Sequence, residues 1–218
     1  DTDGKIYGLN PEIAWNYGVS FNQKFQLFGR NADAGVDFYR TDFQNQVVVD
    51  VMQSPQEVLF YNLKGQSFAN SLQVEFNYEL FNHFNLRSAY KYYDIQTQYL
   101  SGVYQRPLQA KHRFFANLEY ETHRTEKGGQ WRFDATYNWL GKQQLPATAS
   151  NPAADRLPEF SPAYSLINAQ ITRVFSSTFE VYVGGENIGN YKQPKAILGA
   201  DNPFGPTFDA SIVYAPIF

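Results

Sequence analysis

The chain contains no cysteine, which excludes a disulfide framework and a thiolate-bound zinc site. It also lacks any run of 18 apolar residues, which excludes a membrane-spanning helix. Charged residues make up only 18% of its 218 residues, and the formal net charge is -3. This balance provides no basic surface for nucleic acid, so no nucleic-acid partner is expected.

Aromatic residues, by contrast, are abundant at 17%, and many lie in alternating segments. Residues 131–139 read W-R-F-D-A-T-Y-N-W, so every odd-numbered position is apolar and every even-numbered one is polar or charged. Tryptophan stands at both ends of the apolar row. This pattern is typical of a strand in a transmembrane β-barrel, which alternates apolar-out and polar-in and carries aromatic belts at both membrane interfaces.

The period of two predicts eight antiparallel strands and a doubtful ninth. The eight lie at about 15–22, 34–48, 72–78, 84–92, 112–121, 131–139, 165–172 and 179–183. Segment 208–214 is assigned to the last extracellular loop or its root, because Pro216 cannot donate to a strand ladder, and the true final strand is expected to be absent from this chain. The alternative is a closing strand in which Phe208, Ala210, Ile212 and Tyr214 face lipid.

Short and long connections alternate along the chain. The short ones lie near 29–31, 81–83, 122–129 and 175–177, and the long ones span about 49–64, 95–111, 140–162 and 189 onward. Outer-membrane barrels have short periplasmic turns and longer extracellular loops. Odd-numbered strands are therefore predicted to run toward the periplasm. Because no segment has the composition of a domain linker, residues 1–218 are interpreted as one structural unit.

The polar side of these strands carries charges of both signs. The residues predicted to face the lumen or a plug are Arg87, Lys91, Arg113, Glu119, Arg132, Asp134 and Glu180. A barrel of about eight strands is filled by its own side chains, whereas this row suits water or an inserted plug. It therefore predicts one wall of a wider barrel, with carboxylates pairing with Arg113 and Arg132.

The long loops hold the candidate ligand contacts, whereas no catalytic or metal centre is predicted. The candidates are Tyr99, Tyr104, Arg106, Phe160 and Phe204. The three histidines, His83, His112 and His123, lie on different segments, so no shared metal site is expected. No nucleophile and base converge on one rim. The sequence is therefore interpreted as that of a non-enzyme without a cofactor.

Several short motifs resemble those of one family, the TonB-dependent outer-membrane transporters. Leu9-Asn10-Pro11-Glu12 followed by Asn16-Tyr17-Gly18 resembles their Leu-x-Pro-Glu…Tyr-Glu-x-Gly entry into a late strand. The other similar segments are 38–46, Pro107 with His112-Arg113-Phe114, and 185–191. Tyr191-Lys192-Gln193 and the blocks 203–205 and 208–211 look most like Bacteroidetes-type members.

The resemblance implies a 22-stranded barrel with an N-terminal plug. Residues 1–218 would be the C-terminal part of this β-barrel and supply about eight or nine of its strands, and the plug is expected to lie outside this chain. The implied function is ligand-gated import of a scarce nutrient, such as a siderophore, metal chelate, peptide or glycan, across the outer membrane. The implied partners are the bilayer, the rest of the barrel and plug, the TonB complex and a surface lipoprotein. The alternative is a small self-contained barrel acting as an adhesin or structural protein.

Overall fold

The computed structural model describes residues 7–217 and is an all-β, antiparallel structure. Its strands are β1 (Ile13–Leu27), β2 (Arg30–Asn45), β3 (Val47–Asp50), β4 (Leu59–Asn62), β5 (Ser67–Phe81), β6 (Phe84–Tyr99), β7 (Gly102–Gln105), β8 (His112–Glu121), β9 (Gln130–Leu140), β10 (Tyr164–Val174) and β11 (Glu180–Gly185). A 3₁₀ turn spans Ala153–Asp155. Among the described residues, no helix is long and apolar enough to span a membrane.

The main sheet has the strand order β1-β2-β5-β6-β8-β9-β10-β11, and β7 pairs with the C-terminal end of β6. These eight strands in line are the eight predicted from the alternation, so the predicted fold class is confirmed. Each of the eight strands pairs antiparallel with the next of the eight along the chain, and the insertions β3, β4 and β7 lie outside this series. Short turns favour antiparallel pairing within each hairpin, and the hairpins pair with one another through β2 with β5, β6 with β8 and β9 with β10.

The strand register separates the apolar and polar rows onto two faces, here called the outer face and the inner face. On the outer face Phe114 lies opposite Trp139, whereas on the inner face Glu119 lies opposite Asp134. Directly opposed residues share a face, so this assignment carries from strand to strand. The outer rows are well exposed, with 62% of Phe21 accessible.

The turn between β1 and β2 shows how a short connection sets the register. Its two central residues are both left-handed, with φ of 51° at Phe28 and 74° at Gly29. Two positive φ values in a two-residue loop match the right-handed twist of the flanking strands. Glycine tolerates this conformation without strain, and the next turn uses His83 with φ 65°.

The second strand both begins and ends earlier in the chain than its predicted range of 34–48. It ends at Asn45, and Val47–Asp50 instead forms a separate two-stranded sheet with β4. At the break, the backbone carbonyl of Gln46 accepts a 2.8 Å hydrogen bond from the Leu63 amide. Beyond Asn45, pairing with β4 thus replaces pairing with the main sheet.

Residues 208–214 do not form a strand, so the alternative of a lipid-facing closing strand is wrong. Only an isolated bridge joins Asp209 to Leu198. Ile212 and Tyr214 are 4% and 8% exposed, because they pack into a cluster of loop residues. Burial among loops, rather than contact with lipid, explains the apolar positions of this segment.

Both edges of the main sheet are open. Within residues 7–217, β1 pairs only with β2 and β11 pairs only with β10. All of β11 is exposed. Unpaired backbone groups cost several kcal/mol each in lipid. The described residues therefore do not close into the small self-contained barrel considered as an alternative.

Candidate functional site

The inner face carries a network of paired charges. Arg132 lies 3.3 Å from Glu121 through Nε and 3.6 Å from Glu180 through Nη1, and Arg87 lies 3.4 Å from Glu119. Arg87 on β6 thus bridges to the adjacent β8, whereas Arg132 on β9 reaches the adjacent β8 and, across β10, also β11. By register, this face contains all the predicted lumen residues, Arg87, Lys91, Arg113, Glu119, Arg132, Asp134 and Glu180. Their contact with a lumen or plug stays a prediction.

Asn117 on β8 connects this network to β9 through side-chain hydrogen bonds. It is 8% exposed, and its Nδ2 donates to Asp134 Oδ2 at 2.8 Å and to Thr136 Oγ1 at 3.0 Å. The amide thereby holds the Asp134 carboxylate against β8. A hydrogen bond to a charged acceptor is among the stronger kinds in proteins. The carboxylates here are held in place before any partner arrives.

Lys91 and Arg113 break this pattern, and the expectation that a carboxylate pairs with Arg113 is wrong. The two residues lie directly opposite one another on β6 and β8. Within residues 7–217, no carboxylate oxygen comes within 4.0 Å of the charged nitrogens of either residue. Local alternation does not reveal this juxtaposition, because it depends on how β6 and β8 are aligned.

At the end of the sheet that carries the long loops, the inner face becomes apolar and is covered by these loops. Leu140 and Leu166 lie on this face and pack against a cluster of buried residues, here called the loop core. The loop core consists of Leu145, Tyr164, Leu198, Ile212, Tyr214 and Ala215. Sequence reasoning missed it, although leucines at inner-face positions were a signal. The long loops are therefore folded onto the sheet.

Gln193 anchors the last part of the loop core. Its Nε2 donates to the Ile212 carbonyl at 2.7 Å, and its Oε1 accepts from the amides of Tyr214 at 2.9 Å and Ala215 at 3.2 Å. The Tyr164 hydroxyl donates to the Tyr214 carbonyl at 2.7 Å. One buried side-chain amide thus replaces the ladder partners that segment 212–215 would have in a strand.

A second loop cluster joins the β3–β4 hairpin to the tip of β6. Asp50 is fully buried. Its carboxylate accepts from the Met52 amide at 2.9 Å and from the Tyr61 hydroxyl at 2.7 Å. The Tyr61 oxygen in turn accepts from the Leu100 amide at 3.1 Å. Burial, followed by the hydrogen bond to Asp50, raises the pKa of Tyr61 from 10.0 to about 12.

We predict that Tyr61 is a pH-sensitive contact of this cluster. A raised folded-state pKa means that its contribution to stability is complete below pH 10 and is lost as the pH rises from 10 to about 12. The difference in phenolate absorbance between the wild-type protein and Tyr61→Phe should show one group titrating near pH 12. Asp50→Asn should lower that midpoint, because the charged acceptor is removed. A difference titration centred near pH 10.0, the ordinary tyrosine value, would contradict this.

Of the predicted ligand contacts, Tyr99 and Arg106 line a common cavity. Tyr99 is only 5% exposed, and its ring packs 6.0 Å from that of Tyr104. Tyr99 belongs to the second loop cluster, and its role in ligand contact stays a prediction. Arg106 is exposed, as are Phe160 at 40% and Phe204 at 100%. Within residues 7–217, no aromatic contact links these two phenylalanines to the Tyr99–Tyr104 pair.

The outer face carries an ion pair near the C-terminal end of β2. Arg40 Nη2 lies 2.6 Å from Asp42 Oδ1, and the Tyr17 hydroxyl donates to Asp42 Oδ2 at 2.9 Å. The Arg40 guanidinium also lies 4.7 Å above the Phe68 ring. The sequence analysis did not identify this cluster, although Arg40 lies two residues after Phe38 and therefore on the same face of the strand. The apolar outer face thus gives way to charge toward this end.

The opposite end of the outer face has an arginine between two aromatic rings. The Arg173 guanidinium lies 4.9 Å from the Trp131 ring and 5.4 Å from the Phe175 ring. Long cationic side chains near aromatic rings are typical of membrane interfaces, where the stem is apolar and the head is wet. The outer face therefore carries one cation–aromatic contact at one end, between β2 and β5, and another at the opposite end, between β9 and β10.

Two of the three histidines meet across neighbouring short turns. The rings of His83 and His123 are 4.6 Å apart in an edge contact, a proximity that the separate segments did not predict. His112 lies elsewhere, 2.7 Å through Nδ1 from the Tyr90 hydroxyl. No group of three or more candidate metal ligands occurs in the part of the chain that the structure describes.

Comparison with known proteins identifies one family. A family model described as TonB dependent receptor-like, beta-barrel, matches residues 2–188. No curated protein and no solved structure matches the chain. The matched region contains all eleven strands described above.

Proposed function

Since this chain belongs to the family of TonB-dependent receptor-like β-barrels, we propose that it forms one wall of an outer-membrane transporter. The transporter would import a scarce nutrient, such as a siderophore, metal chelate, peptide or glycan, with energy delivered through TonB. Membership in this family supports an outer-membrane receptor or transporter rather than an enzyme.

The observation that carries this proposal is the two-faced sheet. Eight strands share one apolar outer face and one charged inner face. An apolar face with a cation–aromatic contact toward each end fits lipid, whereas paired charges such as Arg132 with Glu121 and Glu180 fit water or another protein segment. We propose that the inner charges hold a plug in place until the TonB complex pulls on it.

The open edges support a wider barrel. β1 and β11 each present one unpaired side within the described residues. Satisfying those backbone groups in lipid requires neighbouring strands. We propose that further strands of the same barrel pair with both edges, to the 22 that the family resemblance implies.

The folded loops support recognition at the extracellular side. Segments 191–193 and 208–211 carry the Bacteroidetes-type resemblance. Tyr191 packs against the loop core, and Gln193 bonds to Ile212, the residue that follows segment 208–211. A rigid loop surface can present ligand contacts with little ordering entropy. We propose that this surface binds the nutrient, and that a surface lipoprotein covers it in the assembled receptor.

Uptake by whole cells tests this function. Cells producing the full-length protein should accumulate the nutrient only while the proton gradient is intact, because opening the lumen requires work on the plug. Adding an uncoupler should stop accumulation, while diffusion of a small sugar through general porins continues as the control. Uptake that persists without the gradient would contradict energised import.

A further inference from the structure

The structure assigns to Lys91 and Arg113 a binding site on the inner face for an oxyanion, a phosphate or carboxylate, that is attached to an apolar body. This inference rests on the proposed transport function and deepens it, because it names a substrate class. It combines two unneutralised cations, an unsatisfied guanidinium donor and an apolar recess beside them.

The first observation is the cation pair itself. Lys91 and Arg113 are cross-strand partners, and like charges directly opposite one another destabilise a sheet. Every other inner-face arginine of β6, β8 and β9 has a carboxylate within 4.0 Å, namely Arg87 and Arg132. This pair has none among residues 7–217, so a negative group from outside those residues would complete it.

The second observation is the state of the Arg113 side chain. Its Nε is shielded from solvent and has no hydrogen-bond partner. The guanidinium lies 5.8 Å from the Tyr93 ring, which restricts its orientation. A shielded donor without a partner is unfavourable. An oxyanion with two oxygens would accept from Arg113 and Lys91 together.

The third observation is the recess beside the two cations. It has a volume of about 260 Å³. Its apolar floor is formed by Ala89, Phe115, Leu140 and Leu166. An apolar cavity of about 150 Å³ holds benzene, so this recess has room for an aromatic ring and its attached anionic group. Apolar and cationic linings thus adjoin at one place.

The position of the recess favours a solute as its occupant. Arg113 is the second residue of β8 and Leu140 is the last of β9, and Leu140 also packs against the loop core. The recess therefore lies directly below the extracellular loops, at the entrance to the proposed lumen. An acidic side chain from another segment would use the cations but leave the apolar floor unused.

Calorimetric titration of the detergent-solubilised full-length protein with phenyl phosphate tests this site. We expect one bound phenyl phosphate per chain, with inorganic phosphate binding about tenfold more weakly because it leaves the floor unfilled. The double variant Lys91→Gln with Arg113→Gln should weaken phenyl phosphate binding by about tenfold or more. Arg113→Lys should retain part of the affinity, since the charge remains.

Lys24→Gln is the matched control, because Lys24 is an exposed cation on the same face near the other end of the sheet. Its phenyl phosphate affinity should equal that of the wild-type protein. Folding of each variant is checked by heat-modifiable electrophoretic mobility. If the double variant does not fold, Lys91→Gln alone and the weakening of wild-type binding by added salt provide the same test.

Two results would overturn the site. One is unchanged affinity in the folded double variant or in Lys91→Gln. The other is no binding to the full-length protein, as expected if a carboxylate of another segment fills the recess. Because the titration uses no energy source, its failure is distinguishable from a failure of gradient-dependent uptake.

Discussion

Replacing Ala169 with arginine is expected to destabilise the folded protein in a bilayer by about 2–4 kcal/mol. Ala169 is the central residue of β10 and lies on the outer face, opposite Ala135 and Gly185. Its small neighbours leave space for a longer side chain, so the cost arises from placing a cation in lipid rather than from a clash. Denaturant unfolding of the full-length protein in lipid vesicles measures it.

Gln170→Arg is the matched control, one residue away on the inner face. Gln170 is exposed and lies opposite Asp134, so the new cation would meet water and a carboxylate. Its effect should be within about 1 kcal/mol, as for other exposed ion pairs. Equal destabilisation by the two variants would show that the apolar rows do not face lipid.

Replacing Gln193 with leucine is expected to release segment 212–215 from the loop core. The substitution keeps a similar volume but leaves the buried amides of Tyr214 and Ala215 without their acceptor. Each buried unsatisfied group costs about 1–3 kcal/mol. Loss of the acceptor for both amides should therefore cost about 2–6 kcal/mol, so hydrogen exchange at these two amides should accelerate by at least about 30-fold.

Lys192→Leu provides the comparison for this variant, because Lys192 is exposed and adjacent to Gln193. Exchange at Tyr214 and Ala215 should be unchanged by it. The main sheet should exchange at wild-type rates in both variants, since Gln193 bonds only to the loop segment. Wild-type exchange at both amides in Gln193→Leu would refute the anchoring role.

The strands and their two faces were predictable from the sequence, because they depend on a local property. A period of two requires only that successive side chains point to opposite sides. The alternation of residues 131–139 therefore placed β9 and its faces within one residue at each end. The second strand illustrates the limit, since its end at Asn45 depends on pairing between Gln46 and Leu63.

The contacts that define the candidate site were not predictable in this way. Lys91 and Arg113 were both assigned to the inner face, but their direct opposition depends on the register between β6 and β8. Register is set by the turns and by the whole apolar pattern, so a shift of two residues preserves the faces and changes every partner. The burial of Tyr99 was not predictable for a related reason, because it requires β3 and β4 to fold over the ring.

The sequence by itself determined an all-β membrane sheet with one apolar face, one charged face and alternating short and long connections. Only the tertiary structure decided which charges neutralise one another, which cations stay unpaired, and that Gln193 binds segment 212–215. The physical reason is the separation along the chain over which each effect acts. Alternation acts between neighbouring residues, whereas ion pairing and burial depend on residues brought together by strand register and loop packing.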